Sequence, residues 1–222
     1  MPAFTPQPAV YFFDMDHTLI DNDCDVSWIE FLVRHQLAPA DSLLQADFFY
    51  EQYKAGKLDL DTFFQFQLAA FTGHTPEQLA VLADRHFAEM VRHTIYDRAQ
   101  KLVSDALASG RPVALLTATN EVLAAPFARA LRIPHLLATR LELQDGRYTG
   151  RISGVYCGGV GKIGFAETFC REHGSCLAQA AYYGDSINDV PLLRLVGFPY
   201  AVNPAPALRA ETWANGWPIL EL

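Results

Sequence analysis

In FFDMDHTLI, Phe12 to Ile20, a strand-like apolar run from Val10 to Phe13 ends directly on two aspartates, Asp14 and Asp16, with a hydroxyl following at Thr18. Two carboxylates that close repel and must be compensated, and a cation between them is the expected means. Other parts of the chain supply residues suited to that task. Short apolar runs recur as AVYFFD, PVALLTATN, AAYYGDS, PYAVNP and WPIL. Helix-like segments separate them: YDRAQKLVSDALASG, ending on Gly110 as a helix C-terminus should, then NEVLAAPFARALRI, GKIGFAETFCREHG and NPAPALRAETWANG. Strands alternating with helices predict an α/β fold, a parallel sheet flanked on both faces by helices.

The segment from Asp21 to Arg92 reads differently. It carries helical periods broken at AGK and TGHTP, and no convincing strand. It predicts a helical insertion placed directly after the first strand, residues 21–92, with residues 1–20 and 93–222 forming the core domain. The aromatics Trp28, Phe31, Phe48, Phe49, Phe63, Phe64 and Phe66 are expected, for the most part, to form the insertion's own core. In ATRLELQDGRYTGRISG, alternation on both sides of Asp145-Gly146 predicts a structural β-hairpin following a third strand.

In an open parallel sheet, ligands sit beyond the carboxyl ends of the strands. Asp14 and Asp16 fall there after the first run, Thr117 after PVALL, and Asp185 and Asp189 after AAYY. Lys162 opens a helix after the hairpin. Singly these residues are ordinary: a turn residue, a helix-terminal acid, a surface lysine. Together they place four carboxylates, a hydroxyl and an ammonium at one mouth. Such a set invites a hard cation, Mg²⁺ in the usual case, and leaves room for a phosphate. Thr117 and Lys162 would bind phosphate oxygens. Backbone N–H groups following Asp14 and Thr117, Ala118 among them, would add donors, since the chain is expected to turn into helices there.

The 222 residues are 50% hydrophobic and carry a net charge of −8, with a pI of about 5.3. No dense Lys/Arg run is present, so neither nucleic acid nor an anionic membrane surface is an expected partner. No apolar run approaches the roughly 18–20 residues of a membrane span. The opening MPAFTPQPAV has no basic region leading into an apolar one, so it does not read as a secretion signal. Cys24, Cys157, Cys170 and Cys176 form no CxxC pair and have no zinc spacing. They read as reduced thiols, and the protein as cytoplasmic.

The quoted motifs DMDHT, ALLTATN, GVGKIG and GDSINDVPLL resemble, in this order, the four motifs of the haloacid dehalogenase superfamily of phosphohydrolases. The insertion resembles the small helical cap of its phosphoserine-phosphatase-like subgroup. The resemblance implies a Rossmann-like sheet with a cap, and a Mg²⁺-dependent phosphomonoesterase working on a small-molecule phosphate ester. Asp14 would be the nucleophile that becomes an aspartyl-phosphate. Asp16 would be the general acid and then the general base. The metal would be held by the Asp14 carboxylate, the Asp16 backbone carbonyl and Asp185, with Asp189 orienting the site. An Asp at the position of Asp16 favours phosphate esters, because a halide leaves without a proton.

The resemblance also bears on the substrate. Asp23 stands where the subgroup contacts a substrate amino group, and Gln65 stands where phosphoserine phosphatases place an arginine for the carboxylate. Glutamine cannot supply a charged fork. This points from phosphoserine toward an amino-alcohol phosphate such as histidinol phosphate. FFDMDHTLIDNDCDVSWIEFL and TATNEVLAAPFARAL are similar to bacterial members that include histidinol-phosphatases. A phosphoserine phosphatase, a small-molecule phosphotransferase and, outside enzymes, a phosphometabolite-binding regulatory protein are the alternatives. His17, Asn120 and Asn188 are expected to make local turn hydrogen bonds.

Overall fold

The computed structural model describes residues 7–222. Residues 1–6 of the expected core segment, and with them most of the stretch read as carrying no secretion signal, lie outside the described residues. Strand β1 (Val10–Phe13) is central and paired in parallel on both sides, with β2 (Val113–Asn120) and with β6 (Ala180–Gly184). The six-stranded sheet runs β3-β2-β1-β6-β7-β8, with β3 at His135–Thr139, β7 at Phe198–Val202 and β8 at Ile219–Leu220, and every pairing is parallel. The chain leaves β1 for β2 on one side and later returns to β6 on the other. This reversal opens a crevice at the carboxyl ends of β1, β2 and β6, the place where such sheets bind ligands.

β1 is apolar throughout because both of its faces are covered. Phe13 packs with Leu115, Phe127 and Tyr183 beneath α5 (Asp97–Ala108) and α6 (Glu121–Ala130). Its neighbour Phe12 points the other way, to Leu116, Phe169 and Tyr182, with α7 (Gly161–Glu172), α8 (Val190–Leu193) and α9 (Pro206–Asn215) on that face. The edge strand β3 is the third strand expected ahead of the hairpin. It is short, and three of its five residues are only half-buried.

The insertion consists of α1 (Cys24–Arg34), α2 (Ser42–Lys54), α3 (Leu60–Gln67) and α4 (Pro76–His86), with no strand among its described residues. The Asp23 carboxylate starts α1 by accepting from the N–H groups of Asp25 and Val26. Thr75 and Gln78 form a capping box at α4, with Pro76 in its first turn. Trp28, Phe31, Phe71 and Leu79 build the insertion's apolar core. The hairpin of β4 (Leu141–Gln144) and β5 (Arg147–Ile152) turns through Asp145 and Gly146, both at positive φ. Tyr148 on β5 joins the insertion's core, and its backbone exchanges hydrogen bonds with Gly73 and His74. The hairpin therefore braces the insertion. Beyond α4, Phe87 and Val91 already pack with the sheet.

Candidate active site

A cavity of about 490 Å³ lies between the strand ends and the insertion. Asp14, Asp16, Thr117, Ala118, Lys162 and Asp185 line it from the sheet side, and Asp23 from α1. The Lys162 ammonium is the pivot. Its Nζ is 3.0 Å from Asp14 Oδ1, 2.8 Å from Asp189 Oδ1 and 2.8 Å from the Tyr182 hydroxyl oxygen. Tyr182 also donates to Asp189 Oδ1. The backbone N–H of Ser186 donates to Asp189 Oδ2 at 3.1 Å. Asp189 thus lies beneath the cavity, 1% exposed, with both oxygens engaged. Gly184 makes this possible, since a Cβ there would stand 2.6 Å from Asp189 Oδ2.

Asp14, Asp185 and Asp189 can bring one oxygen each within 4.8 Å of one another. Burial pushes the Asp14 carboxyl up to about 7; Asp189 and Asp16 add to the rise and Lys162 opposes it. Burial also holds the Asp185 carboxyl well above the usual carboxylate range, and the charges of Asp189 and Asp14 raise it further. Asp185 accepts from Thr18 Oγ1 at 3.0 Å and has no ion-pair partner among the described residues. Lys162 already serves Asp14 and Asp189. An added divalent cation therefore fits the chemistry of this set. Asp14 Oδ2 and Asp185 Oδ2 are the oxygens without a hydrogen-bond partner among the described residues.

The Asp16 carboxylate stands apart from that cluster. Cys24 N–H donates to its Oδ1 at 2.8 Å and Thr119 Oγ1 to its Oδ2 at 2.5 Å. Burial first, then the charge of Asp23, raises its carboxyl to about 6, against the lowering effect of those two donors. The two aspartates of the opening motif are thus compensated separately: Asp14 by Lys162, Asp16 by Thr119 and the start of α1.

Two expectations are corrected. Gln65 does not line the cavity. It is exposed on α3 and borders a separate hollow with Leu44, Phe48 and Ala69. Gln67, two positions on and about 200° round the helix, is the glutamine in the cavity wall, donating to Asp25. The chain also does not turn into a helix after Asp14. It folds into a tight loop closed by Leu19 N–H to Met15 O at 2.9 Å, so donors there belong to a loop. After Thr117, β2 continues to Asn120, whose side chain caps α6 as a local turn residue. His17 and Asn188 line the cavity. Of the insertion aromatics, Phe49, Phe63 and Phe66 line the cavity and Phe48 is 56% exposed, while Trp28 and Phe31 are core.

Nothing in the sequence singles out Tyr182, Asp25 or Gln67 as residues of the site. Thr119 had a signal: it stands two residues beyond Thr117 on the same strand, a spacing that returns a side chain to the same face. α2 reaches the strand-end loops through Tyr50, whose hydroxyl oxygen is 3.3 Å from His17 Nε2, and Tyr53, 3.4 Å from Ser186 Oγ.

The model of the haloacid dehalogenase-like hydrolases matches residues 11–194. The chain belongs to that family. It is 36% identical over 213 residues to a histidinol-phosphatase of Neisseria meningitidis, covering 94% of this chain and 96% of that protein. It is 34% identical over 218 residues to a phosphoserine phosphatase of Mycobacterium tuberculosis, covering 95% of this chain and 70% of that one. A solved protein of unknown function from Bordetella pertussis Tohama I superposes with a TM-score of 0.88 at 37% identity, over 97% of this chain and 99% of that chain. This haloacid dehalogenase-like hydrolase is an enzyme of the phosphatase kind. None of its described helices is long and apolar enough to cross a membrane.

Proposed function

We propose that the enzyme hydrolyses a small amino-alcohol phosphate, histidinol phosphate in the first instance, through a phosphoryl group carried on Asp14. The observation that carries the reading is the separate holding of the two aspartates, one on a lysine and one on a hydroxyl and a backbone N–H. Asp14 attacks phosphorus while the ester P–O bond breaks, and Asp16 gives its proton to the leaving oxygen. Water then attacks the same phosphorus. Asp16 takes the proton of that water, the P–O bond to Asp14 breaks, and inorganic phosphate leaves. A carboxyl raised to about 6 is suited to both proton transfers.

Lys162 and Thr117, with the Ala118 N–H, are assigned to the phosphoryl oxygens. Mg²⁺ is the proposed cofactor, held by Asp14, Asp185 and the Asp16 carbonyl, and it would supply positive charge that lowers the Asp14 carboxyl and neutralises the phosphate. Asp189 orients Lys162. We take residues 21–92 as a cap that keeps water from the cavity, on a core of residues 1–20 and 93–222.

For the substrate, Asp23 is assigned to the amine and the aromatics Phe49, Phe63 and Phe66 to the ring. Among the described residues no arginine lines the cavity, and its one lysine is committed to Asp14 and Asp189. A substrate carboxylate would find no cation, which disfavours phosphoserine even though one relative carries that name. The four cysteines are free, in keeping with a cytoplasmic protein. The test is phosphate release from histidinol phosphate, phosphoserine, a sugar phosphate and a nucleoside monophosphate, with Mg²⁺, with EDTA and with Asp14→Asn. Metal-dependent preference for histidinol phosphate, absent in the variant, supports the proposal. Equal rates on all four discard the substrate, and transfer to an added alcohol would favour the phosphotransferase.

A further inference from the structure

We infer that Asp25, held in place by Gln67, is a specificity-determining residue that accepts a hydrogen bond from a second nitrogen donor of the substrate. The substrates of this cavity would then be phosphomonoesters with an ammonium group and, separately, an N–H-bearing or cationic ring. The inference rests on the reading of the cavity as a phosphomonoesterase site with the amine at Asp23.

The first argument is charge. The cavity wall carries Asp14, Asp16, Asp23, Asp25 and Asp185 against one fixed cation, Lys162. A divalent cation and a phosphate dianion cancel each other. On the insertion side no lysine or arginine lines the cavity; Asp23 has only the His17 imidazole to oppose its charge, and Asp25 has no cationic side chain acting on it. Burial holds the Asp25 carboxyl well above the usual range, and Asp23 and Asp16 push it further. Positive charge from the substrate would relieve that corner.

The second argument is hydrogen-bond arithmetic. Gln67 ends α3 and is 2% exposed. Its Nε2 donates to Asp25 Oδ1 and to the Asp25 carbonyl oxygen, each at 3.0 Å. Two acceptors require the amide nitrogen on that side, which leaves Gln67 Oε1 as an acceptor. Among the described residues neither Gln67 Oε1 nor Asp25 Oδ2 has a partner. Asp23 spends Oδ1 on the N–H groups of Asp25 and Val26, and keeps Oδ2. Among the described residues the wall therefore offers two separate sets of acceptors, Asp23 Oδ2 on one side and Asp25 Oδ2 with Gln67 Oε1 on the other, that no protein group takes up. Phe49 and Phe66 stack at 5.3 Å beside it, a surface suited to a flat, electron-poor ring.

The experiment compares kcat/KM of wild type, Asp25→Asn, Gln67→Met and Asp23→Asn on three esters. Histidinol phosphate has the amine and a ring N–H, phenylalaninol phosphate has the amine and a ring without N–H, and p-nitrophenyl phosphate has neither. Asp25→Asn is expected to lose about 10- to 100-fold on histidinol phosphate alone, through KM. Gln67→Met should lose in the same selective way by a smaller factor. Asp23→Asn should lose equally on both amines. Activity on p-nitrophenyl phosphate shows that each variant is folded. A loss common to all three esters, or none, overturns the assignment of Asp25. So does a wild type that does not prefer histidinol phosphate to phenylalaninol phosphate, with the phosphatase reading left standing. A wild type that hydrolyses none of the three overturns both.

Discussion

Thr119→Val removes one hydroxyl and keeps the shape of a side chain that is 3% exposed. That hydroxyl is one of two donors holding the Asp16 carboxylate, at 2.5 Å from Oδ2; the Cys24 N–H on Oδ1 remains. A hydrogen bond to a charged group contributes about 1.5–3 kcal/mol. Expressed in the barrier for a step in which Asp16 must be aimed, that is roughly a 10- to 150-fold loss. The loss should depend on the leaving group. An alkyl ester needs a proton on the departing oxygen, whereas p-nitrophenolate leaves as the anion. kcat/KM reports events only as far as the first irreversible step, the departure of the alcohol, so the later water step does not blur the comparison. For Thr119→Val, kcat/KM on histidinol phosphate should fall by roughly 10- to 150-fold, and on p-nitrophenyl phosphate by no more than about threefold. An equal fall on both esters would refute the reasoning, because Thr119 would then serve the phosphate or the fold rather than the proton carrier.

His86 is buried with its Nε2 2.9 Å from Ser27 Oγ and its Nδ1 without a partner among the described residues, and burial pushes its imidazole from 6.5 down to about 4 despite the opposing charge of Glu89. The native state keeps it neutral, so the unfolded chain binds the extra proton; stability held above pH 6.5 should decline from there to about pH 4, by about 3 kcal/mol in all. Urea midpoints for wild type and His86→Leu should diverge in slope across that window, and parallel slopes would contradict the assignment. Asp185→Asn relieves like-charge repulsion in the buried cluster, so without metal its melting temperature should rise by roughly 2–4 °C per kcal/mol gained, while the increment that Mg²⁺ gives the wild type disappears. A metal-dependent increment preserved in the variant would argue against Asp185 as a ligand. Gly184→Ala puts a Cβ against Asp189 and should cost about 1–3 kcal/mol in denaturant unfolding, with a loss of activity beyond what the lost fold explains.

Some features of this enzyme were legible because one local chemistry leaves a single outcome. Asp145-Gly146 between alternating residues gives a hairpin, and both residues take the positive φ that the turn demands. Gly110 closes α5 at φ 70°. The acids at the ends of β1 and β6 could be placed because a parallel sheet sends its ligands to one edge. Other features depend on how a helix rolls or where a long side chain reaches. Gln65 and Gln67 look equivalent in LDTFFQFQ, and only the burial of α3 against α1 and the hairpin decides which of them meets the cavity. Tyr182 reads as an ordinary core residue of β6; its role lies in a hydroxyl that spans to Lys162 on α7. Asp25 is one more acid near a helix start until α3 brings Gln67 to it.

The central claim is that Asp14 carries the phosphoryl group. The direct measurement is acid quenching during turnover of histidinol phosphate with Mg²⁺, reduction with borohydride, and peptide mass analysis. An aspartyl-phosphate is reduced to homoserine, whereas a free carboxylate is not. The account predicts homoserine at position 14 only when substrate is present, and none in Asp14→Asn. Turnover at full rate with Asp14 unmodified, or the modification found on another residue, would contradict it.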